Sequence, residues 1–372
     1  MGVVHREKDF DDPLEWMIAA HIQPKYVTEM FPYHYTDLVK ILSWARDVFK
    51  LETMMLRCPV PSTIVGDLNG QYADLLRVLQ RFGGDAFSSL DDQSYLFLGN
   101  YVNHGERSLE TIVLLLLLKC RHTNKVFLLR GTSECQRNTR VHGFLDELKA
   151  RFNEVEARSL FALFNEVFSY MPLACLVGET IFCCHGGISP ILSALEDINK
   201  IETPLEDPYS NELARDLMWA DPLSGCNGIR RNKSTDGSIY FGEDALEDFL
   251  IRFDLKLLVR GRQMAVDGRS FFHGRKMVTL FTATSFNPNI ANKGAIMVID
   301  DNSVAQFTIL EPQPQSNSVS SRRSRTSAAG DRAKLGYAED GNGDQQGSNG
   351  RSTDLQEEES AWDVDWDVNW AV

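Results

Sequence analysis

The chain has 372 residues, of which 43% are hydrophobic and 24% charged, so it can bury the core of a large globular domain. Its formal net charge of −14, with an isoelectric point near 5.1, argues against general nucleic-acid binding, which requires a basic face. The longest purely apolar stretch, Ile112 to Leu118, is far too short to span a bilayer, so we expect no membrane association.

The start of the chain and its cysteines indicate a reducing, intracellular location. Residues 1–6 contain no secretory apolar segment, and Arg6 stands where a myristoylation signal requires Ser or Thr. The seven cysteines are scattered and form no C-x-x-C pair, and Cys183 and Cys184 lie inside an apolar run. We therefore expect reduced, mostly buried thiols and a cytoplasmic or nuclear protein.

Apolar spacing predicts an α/β domain. Between residues 11 and 55, apolar residues recur at intervals of three and four, as in Leu38, Ile41 and Leu42, and predict helices. Strand and helix patterns then alternate: a strand at 95–98, a helix at 108–119, a strand at 126–129 and a helical stretch over 144–168. In such folds the strand ends supply the functional site.

Five segments join an apolar, strand-like run to a glycine-bearing turn, where side chains from several strand ends can converge. They read G-D-L-N-G at 66–70, G-N-Y-V-N-H-G at 99–105, R-G-T-S-E at 130–134, H-G-G at 185–187 and R-G-R-Q at 260–263.

In order and spacing these segments resemble the motifs of the phosphoprotein phosphatase family, G-D-x-H-G, G-D-Y-V-D-R-G, R-G-N-H-E, H-G-G and R-A-H-Q. The chain is most similar to the type-1 Ser/Thr protein phosphatase catalytic subunit, and residues 92–99 and 181–187 match nearly residue for residue. The resemblance implies a metallophosphatase-type α/β fold, a central β-sandwich of mixed sheets flanked by helices. It places this domain at 10–312, and the composition of the remainder predicts a disordered tail at 313–372 that ends in a Trp/Asp motif.

The resemblance also implies a pair of divalent cations, Mn or an Fe/Zn pair, that activates a bridging water for attack on a phosphoserine or phosphothreonine. Of the matching ligand positions, only the first and fifth keep the family's residue type. The positions are Asp67, Asn69, Asn100, Thr132, His185 and Arg262.

The changed ligands argue against a cation pair. Asn100 offers a neutral amide where the family has a carboxylate that bridges both cations, whose mutual repulsion is strong at short separation. Arg262 places a permanent positive charge at a ligand position. We therefore expect no cofactor, and we predict that Arg262 pairs with Asp67 or Glu134. The alternative is that Arg262 binds a phosphate or an acidic peptide in the cleft. Asp67 and His185 keep a structural alternative, the first as a turn cap and the second as a buried, hydrogen-bonded histidine.

The catalytic positions implied by the family have changed as well. Its general acid is a His oriented by an Asp, and here Ser133 and Asn103 stand in, neither of which titrates near neutral pH. His104 replaces the first of two phosphate-binding arginines, and no Arg aligns with the second around 235–236. Phe286 replaces a Tyr.

The hypothesis is a catalytically inactive, type-1-like protein phosphatase that binds regulatory subunits or phosphoproteins, so we expect no enzymatic activity. The alternative is a weakly active, metal-dependent Ser/Thr phosphatase with one metal on Asp67, His185 and Glu134. A third possibility is that the tail supplies the function and the domain carries it.

A peptide-binding groove is a further implication of the resemblance, because type-1 phosphatases take up R-V-x-F regulatory peptides as an added strand. The matching positions are all apolar, Asp301 is available on an acidic rim, and Lys256 and Gly178 replace acidic residues there. The alternative is ordinary core packing. We name these positions the docking groove: Ile181, Leu257, Phe271, Val304 and Phe307.

After Pro312 the composition turns to Ser, Gly, Gln, Asn and Arg, which predicts disorder over about 313–360. The basic, hydroxyl-rich run 320–327 is a kinase target, a tether for an acidic partner or a solvated charge run. Trp362, Trp366 and Trp370 then follow at intervals of four among aspartates. Because Trp is a frequent binding anchor, we expect this motif to dock on a partner or on the chain's own docking groove.

Overall fold

The computed structural model describes residues 13–80, 93–233, 237–287, 289–313 and 370–371. Within these ranges the helices are α1 (Pro13–His21), α2 (Lys25–Thr28), α3 (Tyr35–Phe49), α4 (Tyr72–Gln80), α5 (Ser108–Arg121), α6 (Gln136–Val141), α7 (Phe144–Arg151), α8 (Glu154–Ser169), α9 (Glu212–Trp219) and α10 (Glu243–Arg252).

The strands of the same ranges are β1 (Met55–Cys58), β2 (Ser62–Val65), β3 (Ser94–Phe97), β4 (Val126–Leu128), β5 (Ala174–Val177), β6 (Ile181–Cys184), β7 (Asp221–Pro222), β8 (Ile229–Arg231), β9 (Ile239–Phe241), β10 (Leu257–Arg260), β11 (Arg269–Phe272), β12 (Met277–Leu280), β13 (Gly294–Ile299), β14 (Val304–Leu310) and β15 (Trp370–Ala371).

Two six-stranded mixed sheets form the centre of the fold. One has the order β1-β5-β6-β10-β12-β11 and the other the order β15-β14-β13-β2-β3-β4, while β7, β9 and β8 form a small third sheet. In the first large sheet β6, β10 and β12 are parallel and β11 is antiparallel to β12. In the second, β2, β3 and β4 are parallel, and β13 and β14 are antiparallel. The predicted mixed-sheet α/β fold is confirmed.

Successive strand residues point to opposite faces of a sheet, and in the central strands β2, β3, β6 and β10 every residue is buried, so both faces are covered there. In β3, Leu96 belongs to the apolar layer shared by the two sheets, whereas Tyr95 and Phe97 face the layer formed with α3, α5 and α8. On the other sheet, Phe182 and Leu258 face a layer formed with α9 and α10. Helices therefore cover the outer faces of a β-sandwich.

The helical stretch predicted over 144–168 is two helices, α7 and α8. The break comes at Phe152 and Asn153, where the Asn153 side chain accepts hydrogen bonds from the backbone N–H groups of Val155 and Glu156. This is an N-cap, which begins a new helix. Apolar spacing continues across the break and does not show it.

The seven cysteines are unpaired, and all but Cys120 are buried. No helix in the described ranges has the length and apolarity needed to cross a membrane. The predicted disordered segment beyond residue 313, the run 320–327, residues 235–236, and Trp362 and Trp366 lie outside the described residues. Trp370 is described through its backbone, in β15.

The five glycine-bearing segments follow directly from strand ends. β2, β3 and β4 are adjacent and parallel and lead into the segments at 66–70, 99–105 and 130–134. β6 and β10 are also parallel neighbours, with Cys184 opposite Arg260, and lead into 185–187 and 260–263. A bridge between Asp67 and Phe281 connects the two sheets at this end.

Candidate functional site at the strand ends

Asp67 lies at the centre of the site and is buried, with 1% of its surface exposed. One carboxylate oxygen accepts a hydrogen bond from the Asn100 side-chain amide at 2.7 Å, and the other accepts one from the Arg262 backbone N–H at 2.9 Å. Burial raises the pKa of Asp67 to about 7, although these hydrogen bonds oppose the shift. Asp67 thus joins the ends of different strands instead of capping its own turn.

Both polar groups of the Asn100 side chain form hydrogen bonds within the protein. Its carbonyl oxygen accepts hydrogen bonds from the Ser133 backbone N–H at 2.7 Å and from the Thr132 hydroxyl at 3.1 Å. Its amide group donates to Asp67. The backbone of Asn100 is left-handed, with φ of 56°, a conformation that Asn tolerates better than most residues. The amide therefore fixes the geometry of two loops.

Glu134 is fully buried and binds backbone groups only. Its carboxylate accepts hydrogen bonds from the N–H groups of Asn100 and Tyr101, each at 2.8 Å, from Gly131 at 3.0 Å and from Val102 at 3.4 Å. Burial raises the pKa of Glu134, and these donors oppose the shift. The residue stabilises the turn after β3.

His185 is a buried, hydrogen-bonded histidine. Its Nδ1 lies 2.8 Å from the Leu98 carbonyl oxygen, to which it donates, and its Nε2 lies 3.5 Å from the Thr132 hydroxyl. Burial holds the pKa of His185 well below its usual value, and the charges of Arg262 and Arg260 lower it further. The imidazole is therefore neutral near pH 7.

The Arg262 side chain pairs with Asp221, so the prediction that it pairs with Asp67 or Glu134 is wrong. Its Nε and Nη2 each donate to Asp221 at 3.0 Å, and the buried Arg260 donates to the same carboxylate at 2.8 Å. The physical reason is geometric: both oxygens of Asp221 face the guanidinium as a bidentate pair, whereas Glu134 is directed at backbone N–H groups and Asp67 at Asn100 and the Arg262 backbone.

Gly261 allows the close approach between this loop and Asp67. A Cβ atom at Gly261 would lie 2.4 Å from Asp67 Oδ1, which is closer than such atoms pack. The related motif R-A-H-Q has Ala at this position. The glycine therefore permits the backbone of the Arg262 segment to lie directly against the carboxylate.

A cavity of about 200 Å³ opens at these strand ends. It brings together most of the residues singled out from the sequence, while Asn103 and His185 are buried outside its lining. In the described part of the chain, no three His, Cys, Asp or Glu side chains are grouped so that they could hold a metal ion. The lining residues are Asp67, Asn69, Asn100, His104, Thr132, Ser133, Asn138, His142, Arg262, Met264, Phe281 and Phe286.

Aromatic rings form one wall of the cavity. The ring centroid of His104 lies 5.3 Å from that of His142 and 5.4 Å from that of Phe286, which it meets edge-on. The His104 side chain reaches solvent, yet partial burial and then the neighbouring His142 lower its pKa. This shift favours the neutral imidazole at neutral pH.

Asn103 lies behind Ser133. Its side-chain amide donates to the Ser133 carbonyl oxygen at 3.4 Å, and its own oxygen accepts the Phe144 backbone N–H at 3.4 Å. It therefore holds the start of α7 against the segment after β4.

Sequence reasoning missed Asp221, His142, Asn138 and Met264. Asp221 follows α9 and is 41 residues from Arg262, and no spacing pattern connects the two. The sequence could have indicated only that the two arginines need an acidic residue beside them, because a buried guanidinium requires a counter-charge. The partner itself could be found only in three dimensions.

The docking groove residues divide into two groups. Ile181 and Leu257 are opposite each other in β6 and β10 and are almost fully buried, as the core-packing alternative requires. Phe271 is 39% exposed, and its ring meets that of the half-buried Phe307 edge-on at 5.7 Å. The surface of the groove is thus formed by Phe271, Phe307 and the half-buried Val304, at the edges of both sheets.

Comparison with known proteins agrees with this fold. A profile of the calcineurin-like phosphoesterase family (Metallophos) matches residues 60–261, more than half of the chain. The chain therefore belongs to the calcineurin-like phosphoesterase family.

A similar solved structure is a protein serine/threonine phosphatase from Saccharomyces cerevisiae, described as similar to human phosphatase PP5. It is 26% identical, with a TM-score of 0.68 over 77% of this chain and 92% of that one. Together with the family match, it supports the phosphoprotein phosphatase assignment that the motifs predict.

A cold-active protein-tyrosine phosphatase from a psychrophilic Shewanella species is 14% identical. Its TM-score is 0.50 over 72% of this chain and 84% of that one, which shows the shared fold alone.

Proposed function

We propose that this chain is a phosphatase-like protein that does not hydrolyse phosphate esters and acts by binding, in the cytoplasm or nucleus. The observation that carries the proposal is the hydrogen bond from Asn100 to Asp67 at 2.7 Å. It places a donor N–H group where a cation pair would need an anionic oxygen. An N–H group directed at the carboxylate competes with a cation for the same lone pair.

The donor set does not fit a pair of divalent cations. Asp67 accepts two hydrogen bonds from the protein, and the oxygen of Asn100 accepts two more. The cation Arg262 lines the same cavity. Metal binding would have to break these bonds, ionise Asp67 and bring a cation close to the positive charge of Arg262. The neutral amide of Asn100 binds a cation too weakly to offset these costs.

The hydrolytic alternative would need Asp67, His185 and Glu134 to share one metal. Glu134 is turned away from the cavity and its carboxylate accepts four backbone N–H groups. His185 Nε2 keeps a lone pair 3.5 Å from the Thr132 hydroxyl, but His185 does not line the cavity. This geometry favours the binding role over weak hydrolysis.

Regulatory subunits are better supported as partners than phosphoproteins. Among the cavity-lining residues Arg262 is the single arginine, and Asp221 takes its guanidinium in a bidentate pair. A phosphate needs uncommitted donors of that kind. The docking groove instead presents Phe271 and Phe307 beside a strand edge, which suits an added R-V-x-F peptide strand.

Metal content and hydrolysis test the proposal. Full-length protein is incubated with excess Mn²⁺, desalted and analysed by plasma mass spectrometry, and phosphate release is measured with p-nitrophenyl phosphate and a phosphopeptide. We expect substoichiometric metal and no release above that of an Asp67→Ala control.

The matched positive control is the variant Asn69→His, Asn100→Asp, Thr132→Asn and Arg262→His, which restores the family's ligand types and should gain metal. Two tightly held ions per wild-type chain, or phosphate release that Asp67→Ala abolishes, would contradict the proposal and favour the hydrolytic alternative.

A further inference from the structure

The edge strand β14 is paired with the last described element of the chain. β15 runs antiparallel to it, with Val304 opposite Ala371 and Ala305 opposite Trp370. On its other side β14 pairs with β13 from Ala305 to Leu310. Because Val304 and Phe307 belong to β14, the C-terminal end of the chain occupies one side of the docking groove.

β15 can pair with β14 through the backbone N–H and C=O groups of Ala305. Val304 uses the side toward β13, since its N–H donates to Asp300 Oδ1 at 2.8 Å and its carbonyl accepts from the Asp300 N–H at 3.1 Å. Successive residues of a strand direct their backbone groups to alternate sides. The N–H and C=O of Ala305 therefore face away from β13, toward Trp370.

Positive charge lies along the groove. The Arg269 guanidinium carbon is 5.1 Å from the centroid of the Phe307 ring, and that of Arg275 is 5.4 Å from the centroid of the Phe271 ring. Lys256 is exposed beside the groove, while the exposed Asp301 is an opposing charge near Val304. The Phe271 and Phe307 side of the groove thus favours an acidic segment, while Asp301 leaves a negative charge near Val304 for the Arg of an R-V-x-F peptide.

The chain that leads into β15 has the complementary charge. After Arg351 it contains no Lys or Arg. Because β15 is antiparallel to β14, the N-terminal end of β15 faces the Phe307 end of β14, where Arg269 lies. The acidic residues that precede β15 in sequence are Asp354, Glu357, Glu358, Glu359, Asp363, Asp365 and Asp367.

We propose that the docking groove is regulated in cis, with the C-terminal strand occupying the β14 edge and excluding partner peptides until it is displaced. The proposal rests on the binding function proposed above for this groove. Within the described residues two residue pairs hold β15, and closing a loop from Gln313 to Trp370 costs conformational entropy. A peptide that makes more strand contacts should therefore displace it.

Hydrogen exchange on the full-length protein tests whether the strand is present. Exchange at Ala305 is compared, by mass spectrometry with residue-resolving fragmentation, among wild type, Trp370→Pro/Ala371→Pro and the matched control Asp354→Pro/Leu355→Pro. Proline at 370 removes the N–H that would donate to the Ala305 carbonyl, and its fixed φ disfavours the extended strand that presents a carbonyl to the Ala305 N–H. We expect about tenfold faster exchange in the first variant and no change in the control, as expected for losing one or two hydrogen bonds.

Equal exchange in all three proteins would overturn the proposal. Protection that rises with protein concentration would also overturn it, because the added strand would then come from a second copy. Loss of protection only in Trp370→Pro/Ala371→Pro, independent of concentration, supports it.

Peptide affinity tests the regulatory step. A labelled R-V-x-F peptide should bind Trp370→Pro/Ala371→Pro about tenfold more tightly than wild type or the control variant, as for removal of a tethered competitor. Equal affinities would overturn regulation in cis. Absence of binding to every protein would contradict the proposed function of the groove, while the exchange experiment still decides whether β15 occupies the edge. The two failures are therefore distinguishable.

Discussion

The strand-end cavity and the docking groove use their surfaces in opposite ways. In the cavity, the side chains of Asp67, Asn100 and Arg262 are engaged by partners within the protein. At the groove, Phe271 keeps 39% of its surface exposed, and on the side away from β13 the described part of β14 pairs with β15 at Val304 and Ala305. The comparison teaches that polar groups satisfied internally stabilise the fold, whereas an exposed ring beside a strand edge can take a ligand.

The largest expected effect breaks the internal network of the cavity region. Asp221→Asn removes the counter-charge of Arg260, which is fully buried, and of Arg262. Leaving these guanidinium groups without an anion should lower the free energy of unfolding by about 3–5 kcal/mol. Urea denaturation measures it. Asp248→Asn, an exposed carboxylate on α10, is the control and should change stability little; a loss below about 1 kcal/mol for Asp221→Asn would show that the network is not needed.

The pH dependence of Asp67 gives the next effect. Its pKa of about 7 in the folded protein lies above the value of 3.8 expected when unfolded, so the folded state binds the proton more tightly. The stability due to this group is present at low pH and is lost as pH rises from about 4 to about 7. Relative to Asp67→Asn, wild type should therefore lose roughly 2–3 kcal/mol between pH 5 and pH 8.

Urea denaturation of both proteins at each pH measures the difference between them. Excess Mn²⁺ should leave the dependence unchanged. If Mn²⁺ abolished the pH dependence, a bound cation would be lowering the pKa of Asp67. The cavity would then bind a ligand as the groove does, and the contrast between them would fail.

Gly261→Ala tests how closely the loop packs on Asp67. The added Cβ would lie 2.4 Å from the carboxylate, so the loop or Asp67 must move, at a cost of about 1–3 kcal/mol. The same substitution in an Asp67→Ala background should cost much less, because the clashing oxygen is gone. A double-mutant cycle measured by urea denaturation gives this coupling. Identical costs in both backgrounds would place the clash elsewhere.

The smallest effect concerns the groove. Phe271→Ala should weaken binding of a labelled R-V-x-F peptide about fivefold, or about 1 kcal/mol, since it removes one exposed aromatic contact. Trp44→Ala is the matched control, because Trp44 is also 39% exposed but lies on α3. Fluorescence anisotropy of the full-length chain measures both. An equal loss of peptide affinity in the two variants would show that the peptide does not bind specifically at Phe271, and that the groove is not its binding site.

Much of the fold could be predicted from local patterns, and the failures have local causes. Apolar spacing located α5, β3 and β4 to within two residues, because each is buried along nearly its whole length. It merged α7 and α8, since the cap at Asn153 interrupts the backbone without interrupting the apolar period. The predicted groove included Ile181 and Leu257, which are buried by neighbouring strands. The pairing of those strands cannot be deduced from any one segment of the sequence.

The sequence by itself determined which chemical groups stand at the strand ends, because glycine-bearing turns after apolar runs place them there whatever their partners. It also determined that an amide and a guanidinium replace a carboxylate and an imidazole of the related motifs. Only the tertiary structure decided what these groups do: Arg262 binds Asp221, Glu134 binds backbone, and β15 meets β14. These pairings join residues far apart in the chain, and the choice among competing buried acceptors depends on distance and desolvation, which exist only once the chain has folded.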